Sequence, residues 1–147
     1  TVKTIQHNQE KGLHGIYLFL SDQTPSLRKG LHWENFLGHD VPVHMGAENL
    51  ARELDMNVLY LKVSKVKRGF YEAKFIPITD DIKKEEKFEI TKRFLNLVEK
   101  QIIEKPDYYF WTHKRWKRTR EGYARREAKR IEDRKRLVER EKEKGNV

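Results

Sequence analysis

The chain contains no cysteine, four prolines, two methionines and eight glycines that nowhere cluster. Without thiols there are no disulfides, no thiolate nucleophile and no Cys-ligated zinc, although this alone does not place the chain in a compartment. The scattered glycines leave no phosphate-cradling loop, and the Gly-x-Ser-x-Gly elbow of serine hydrolases is missing. Long apolar runs are missing too. The most strongly apolar stretch, Ile16 to Leu20, falls far short of the roughly 20 residues that cross a bilayer. No signal-peptide pattern is present. Thr1 stands where a start methionine would, so an excised piece of a longer chain is expected.

Charge, by contrast, is plentiful. The 147 residues are 37% charged and 37% hydrophobic, with a mean hydropathy of −0.92. That composition suits one modest core, a single domain or half of a larger one. The net charge of +9 is unevenly spread. Residues 1–112 hold 17 Lys/Arg against 16 Asp/Glu, whereas residues 113–147 hold 15 against 7, so the tail carries +8. A basic tail on a neutral body suits an anionic partner, such as nucleic acid, a membrane surface or a phosphorylated ligand; a solvated charged helix is the plainer reading.

Residues 3–11 read as the end of a helix stopped at Gly12. His14–Leu20 is continuously apolar and suits a strand covered on both faces, as in a parallel sheet. Residues 21–41, with Pro25, Gly30 and Gly38 around Trp33, Phe36 and Leu37, read as one long loop of the kind that carries function. Asp40 is placed to cap a helix with Pro42 in its first turn, running to about Asp55 with Met45, Ala47, Leu50, Ala51 and Leu54 inward. Asn57–Lys67 and Phe70–Ile78 read as an antiparallel pair turning at Arg68-Gly69, with Leu59, Leu61 and Val63 on one face. A charged loop spans 79–86. Ile90, Phe94, Leu97, Val98 and Ile102 follow helical spacing up to Pro106. From Thr119 onward no apolar stripe persists, which argues against a coiled coil. The i,i+4 pairs Glu121/Arg125 and Glu132/Arg136 still support a helix there. With three convincing strands, the first needing cover on both faces, the pattern suits the C-terminal half of an α/β sheet.

Four groups of residues invite chemistry. His32, His39, Asp40 and His44 match no standard zinc spacing, so loop histidines and a helix cap are the simpler reading and no metal is expected. Asp22-Gln23 follows an apolar strand, where α/β folds place their sites; an Asx-type turn is the equal alternative. Arg68-Gly69 is most simply a tight turn, with Arg68 available to a phosphate. The run Trp111-Thr112-His113-Lys114-Arg115-Trp116-Lys117-Arg118 admits three readings. It can stack bases and grip phosphates, lie at a membrane interface, or pack its tryptophans on the body while the cations stay solvated.

Taken in order, these residues resemble the lipid A biosynthesis acyltransferases (lauroyl/myristoyl type) of the lysophospholipid acyltransferase superfamily. Ser21-Asp22-Gln23-Thr24-Pro25 looks like that family's strand-terminal Asp-Gln motif. Phe36-Leu37-Gly38 is similar to its Phe-Phe-Gly segment, ahead of Pro42 and a helix around Gly46, Ala47, Leu50 and Ala51. Val58–Leu61 resembles its next core strand, Arg68-Gly69-x-Tyr71 the following hairpin, and Pro106 through Lys117 its C-terminal signature. The resemblance covers roughly residues 10–118; the tail lies outside it. The family's catalytic dyad, His-x-x-x-x-Asp/Glu, is not present. Five positions after His7, His14, His32, His39, His44 and His113 stand Gly12, Phe19, Leu37, His44, Asn49 and Arg118.

The resemblance implies an α/β fold, the C-terminal part of a mixed sheet flanked by helices. Residues 1–118 would be the C-terminal portion of the acyltransferase-like domain and 119–147 a charged helical tail. It further implies a bacterial enzyme at the cytoplasmic face of the inner membrane, moving a fatty acyl group from acyl carrier protein to a hydroxyl of a lipid A precursor, with no cofactor. Without the dyad, which supplies the general base, this chain alone should not catalyse transfer. Asp22, Gln23, Arg68, Arg115 and Lys117 would bind substrate or anionic headgroups. Trp33, Phe36, Leu37, Trp111 and Trp116 would meet the acyl chain or the membrane. The alternative is a basic module binding nucleic acid or another anionic surface, although the near-neutral body holds no recognisable nucleic-acid fold motif. Exposed strand edges would favour self-association.

Overall fold

The computed structural model describes residues 2–26 and 32–144. Thr1, Gly30 of the expected loop and the last tail residues, 145–147, lie outside the described residues. The first helix, α1 (Val2–Glu10), stops where Gly12 takes a φ of +67°, a value that costs glycine little.

The strand expected at His14–Leu20 does not form. This segment has no regular secondary structure, with Ile16, Leu18 and Leu20 81%, 73% and 76% exposed. Its backbone makes no hydrogen bond among the described residues. An apolar run has the propensity for a strand, but a ladder partner completes one, and none of the described residues supplies it.

Residues 21–41 are not one long loop. A hairpin occupies the second half, with β1 (His32–Phe36) antiparallel to β2 (His39–Val43). Leu37 and Gly38 turn the chain at φ 50° and 76°, the pair of positive values a type I′ turn needs. Asp40 and Pro42 therefore lie in β2 and do not start a helix. Pro42 faces Trp33 across a two-stranded sheet, where every strand is an edge strand and a missing donor is tolerated. The sequence does not announce this hairpin, because each strand is only five residues long and Pro42 within β2 reads as a breaker.

Helix α2 (Gly46–Leu54) ends at Asp55 in the left-handed region, φ 53°. It buries Leu50 and Ala51 as expected, and also Glu48. Strands β3 (Val58–Lys67) and β4 (Phe70–Thr79) pair antiparallel around Arg68-Gly69, as predicted. The core-facing pair is Tyr60 and Ile76, opposite each other in the register. Leu59, Leu61 and Val63 do share a face, but it is the other one, on which Leu59 and Val63 are exposed. Helix α3 (Glu89–Glu104) follows the predicted spacing and buries Ile90, Leu95, Val98 and Ile102. A short turn at Pro106–Tyr108 follows, and α4 (Arg120–Lys144) forms the charged extension. The expected Glu132/Arg136 pair closes at 2.6 Å on it.

The fold is thus mixed α/β with a charged helical extension, its strands arranged as two antiparallel hairpins. The main core joins Phe36, Val41 and Val43 of the first hairpin to Tyr60 and to Leu95, Val98 and Ile102 of α3. A smaller cluster links Ala51, Ile82 and Ile90.

Between α2 and α3 sits an acidic residue that composition gave no reason to bury. Glu48 is 3% exposed. Its carboxylate accepts the Phe88 N–H at 2.7 Å, the Thr91 N–H at 2.9 Å and the Thr91 hydroxyl at 2.6 Å. The Arg52 guanidinium also donates to it through Nε and Nη2, at 3.1 and 2.9 Å. Phe88 precedes α3 with a left-handed φ of 75° and no cap of its own; Glu48 satisfies the orphan donors of that helix start from outside. Arg52 in turn donates to the carbonyls of Ile82, Glu85 and Glu86, tying the charged loop to α2.

Burial alone would raise the Glu48 pKa, but the hydrogen bonds from Thr91, Arg52 and Phe88 together hold it below its ordinary 4.5. A carboxylate with a depressed native pKa stabilises the fold above its unfolded pKa and loses that contribution as pH falls through the native one. Glu48→Ala is expected to cost roughly 3 kcal/mol in denaturant melts at neutral pH, because it strands a partly buried arginine and two helix-start donors. The loss should shrink below pH 4.5. A variant as stable as wild type at pH 7 would refute this role.

Candidate functional site

The stretch after segment 14–20 is fastened to the chain's C-terminal third. The Thr24 N–H donates to His113 Nε2 at 2.9 Å, and the Thr24 hydroxyl donates to the Arg115 carbonyl at 2.8 Å. The Arg118 guanidinium donates to the Pro25 carbonyl. Segments about 90 residues apart are so zipped together, and Asp22, two residues upstream, is carried to the mouth of a large cavity.

That cavity has a volume of about 1270 Å³. Ile16, Leu18 and Leu20 form one wall, with Leu50, Phe94 and Val98 among the apolar residues of α2 and α3 that form another. Asp22, His44, Tyr60 and Tyr109 supply polar groups to its lining. The Tyr60 hydroxyl donates to Gln101 at 2.5 Å. Burial raises the pKa of both tyrosines, and the Asp22 carboxylate pushes each further up. Burial lowers that of His44, and Arg115 lowers it further against the pull of Asp22. A partly exposed carboxylate, an imidazole held toward neutrality and two protonated phenols thus share one field.

Behind them lies Arg115, 0% exposed. Its Nη1 donates to the Pro42 carbonyl at 2.9 Å, and the guanidinium lies 5.3 Å from the centre of the Phe36 ring. Nε and Nη2 have no hydrogen-bond partner among the described residues. Burial drags the pKa of Arg115 down, opposed by Tyr109 and Asp22. A buried guanidinium with two unmet donors is costly unless something anionic comes close.

A family model described as bacterial lipid A biosynthesis acyltransferase matches residues 15–118. The chain belongs to this family. Searches of curated proteins and of solved structures found no match. The matched region contains both segments that the Thr24 hydrogen bonds join, so in this acyltransferase-family chain the Asp-Gln motif and the C-terminal signature meet in space.

The remaining candidates are dispersed. Gln23 is exposed beside Asp22, and Lys117 is exposed beside the buried Arg115. Arg68 is exposed at the β3–β4 turn and does not line the cavity. Phe36 is wholly buried in the core. Trp33 is half-buried, edge-on to Tyr123 and 5.1 Å from the Arg120 guanidinium. The Leu37 N–H donates to Glu99. Trp116 stacks between Phe36 and Trp111, at 6.3 and 6.1 Å, and Trp111 is exposed. None of these five lines the cavity. The four residues weighed as metal ligands go to separate partners. His32 stacks on Phe88 at 3.8 Å, His39 lies edge-on to Trp116, Asp40 pairs with Arg120 and His44 joins the cavity.

Tyr60 and Tyr109 were not singled out in the sequence as site residues. Their only signal was a polar tip on an aromatic in a core strand and in the aromatic run. Because the fold lowers the His44 pKa, its contribution to stability is present above its ordinary 6.5 and lost as pH falls through its lowered value. Arg115→Met should raise the His44 pKa toward 6.5, read by NMR titration of the imidazole. It should also change stability by no more than about 1 kcal/mol, since it removes unpaired buried donors along with the charge. An unmoved His44 titration would break the coupling.

Proposed function

We propose that this chain forms the acyl-binding part of an enzyme that moves a fatty acyl group from acyl carrier protein to a hydroxyl of a lipid A precursor, at the cytoplasmic face of the bacterial inner membrane. The observation that carries this reading is the cavity of about 1270 Å³. It exceeds the roughly 300–1,000 Å³ of ordinary small-molecule pockets, and it combines apolar walls for a hydrocarbon chain with polar groups for a reacting carbonyl and hydroxyl. On this reading Asp22, in the cavity lining, faces the acceptor, with Gln23 exposed beside it. Arg115 provides a buried positive field, Lys117 meets phosphates from solvent, and Arg68 meets headgroups at the hairpin turn.

The family's chemistry needs a histidine to take the acceptor proton, oriented by an acidic residue five positions on. His44 does not substitute, because no hydrogen bond joins it to Asp22. These 147 residues therefore bind the acyl chain but do not transfer it.

Two measurements on the full chain test this. A fluorescent fatty acid, cis-parinaric acid, should bind saturably and roughly tenfold more weakly to Leu18→Asp with Leu20→Asp, which place charge on an apolar wall. Unsaturable binding, or equal binding by the variant, overturns the acyl-chain assignment. Incubation with acyl carrier protein thioester and lipid A precursor should give no product above background; turnover overturns the inactivity.

A further inference from the structure

We propose that the tip of the β3–β4 hairpin, Val66–Tyr71, inserts into an anionic phospholipid bilayer. This rests on the membrane-surface part of the reading above and assigns it to a place outside the cavity. Strands of ten residues reach roughly 33 Å, and only their Tyr60/Ile76 end packs into the core. The far end stands free, with Val66 69%, Phe70 58% and Tyr71 67% exposed. Single exposed apolar residues need no explanation, but three at one turn form a patch. A lone two-stranded hairpin in water is marginal at best.

The charges around the patch identify its partner. Lys62 pairs with Glu104 and Lys74 with Glu72. Among the described residues Lys65, Lys67 and Arg68 form no ion pair. Lys67 Nζ lies 4.4 Å from the Phe70 ring centre and Lys65 Nζ 5.7 Å from that of Tyr108. Tyr108, which Lys65 reaches, is itself exposed, so an aromatic ring outside the hairpin stands beside the cations of β3. Aromatics at headgroup depth, with unneutralised cations beside them, match an anionic membrane surface. Nucleic acid would use the cations and the rings but has nothing to cover Val66.

The test is co-sedimentation of the full chain with phosphatidylcholine vesicles, with and without phosphatidylglycerol. Wild type should prefer the anionic vesicles. Phe70→Ser with Tyr71→Ser, and separately Lys67→Gln with Arg68→Gln, should each weaken binding roughly tenfold. Arg126→Gln with Arg130→Gln on α4 should change it by less than about twofold. Phe70→Trp should add emission that brominated lipid quenches. All the tip positions are exposed, so thermal melts should match wild type. If the chain binds anionic vesicles but both tip variants bind equally well, the tip assignment falls and the membrane reading stands. If the chain binds no vesicles, both fall, whatever the fatty-acid probe shows. Tighter binding of a single-stranded oligonucleotide, lost in the same variants, overturns lipid in favour of nucleic acid.

Discussion

A fully buried guanidinium organises the polar side of this molecule. Arg115 touches β2 through the Pro42 carbonyl and β1 through the face of Phe36. Its own carbonyl receives the Thr24 hydroxyl. One residue thus binds the first hairpin, the C-terminal signature and the segment that carries Asp22. Its charge then reaches His44 and Tyr109, and Asp22 acts back on all three. The two donors left unmet are the cost of that placement, and an uncompensated buried cation is an arrangement that a packing role alone does not favour.

Glu48 performs the corresponding task for the scaffold. By accepting from the start of α3 and from Arg52, it sets the distance between α2 and α3, two helices that line the cavity. The Glu48 carboxylate meets two backbone N–H groups, whereas the Arg115 guanidinium meets one carbonyl. Elsewhere the fold leaves apolar surface uncovered. Segment 14–20 and the far end of the β3–β4 hairpin expose side chains that water does not favour.

Periodicity located α3: Ile90, Val98 and Ile102 of the expected stripe are buried in a core and Phe94 and Leu97 pack partly buried against it, while Leu95, outside that stripe, is buried too. Arg68-Gly69 located the β3–β4 turn through glycine's freedom at positive φ. The β1–β2 hairpin was hidden, since its strands are short, Pro42 lies in one of them and its turn uses Leu37 where Asn or Asp is usual. The strand at 14–20 failed for the opposite reason. Its composition is right, but a strand is a relation between two segments, and the second was not supplied. Of the polar residues at and behind the cavity, the family motifs singled out Asp22 and Arg115, whereas Tyr60, Tyr109 and the burial of Glu48 carried no such signal.

The sequence by itself determined the helices with a stripe, the glycine-marked turns, the charged tail, the family and the missing dyad, all of which depend on residues near one another or on fixed spacing. Only the tertiary structure decided which charges are buried, which face of β3 meets the core and which aromatics stay in water. Those outcomes turn on partners that lie 40 to 90 positions away along the chain, such as Glu48 with Thr91 and Thr24 with Arg115. Local propensity does not encode them, because burial is a property of what closes over a residue and not of the residue itself.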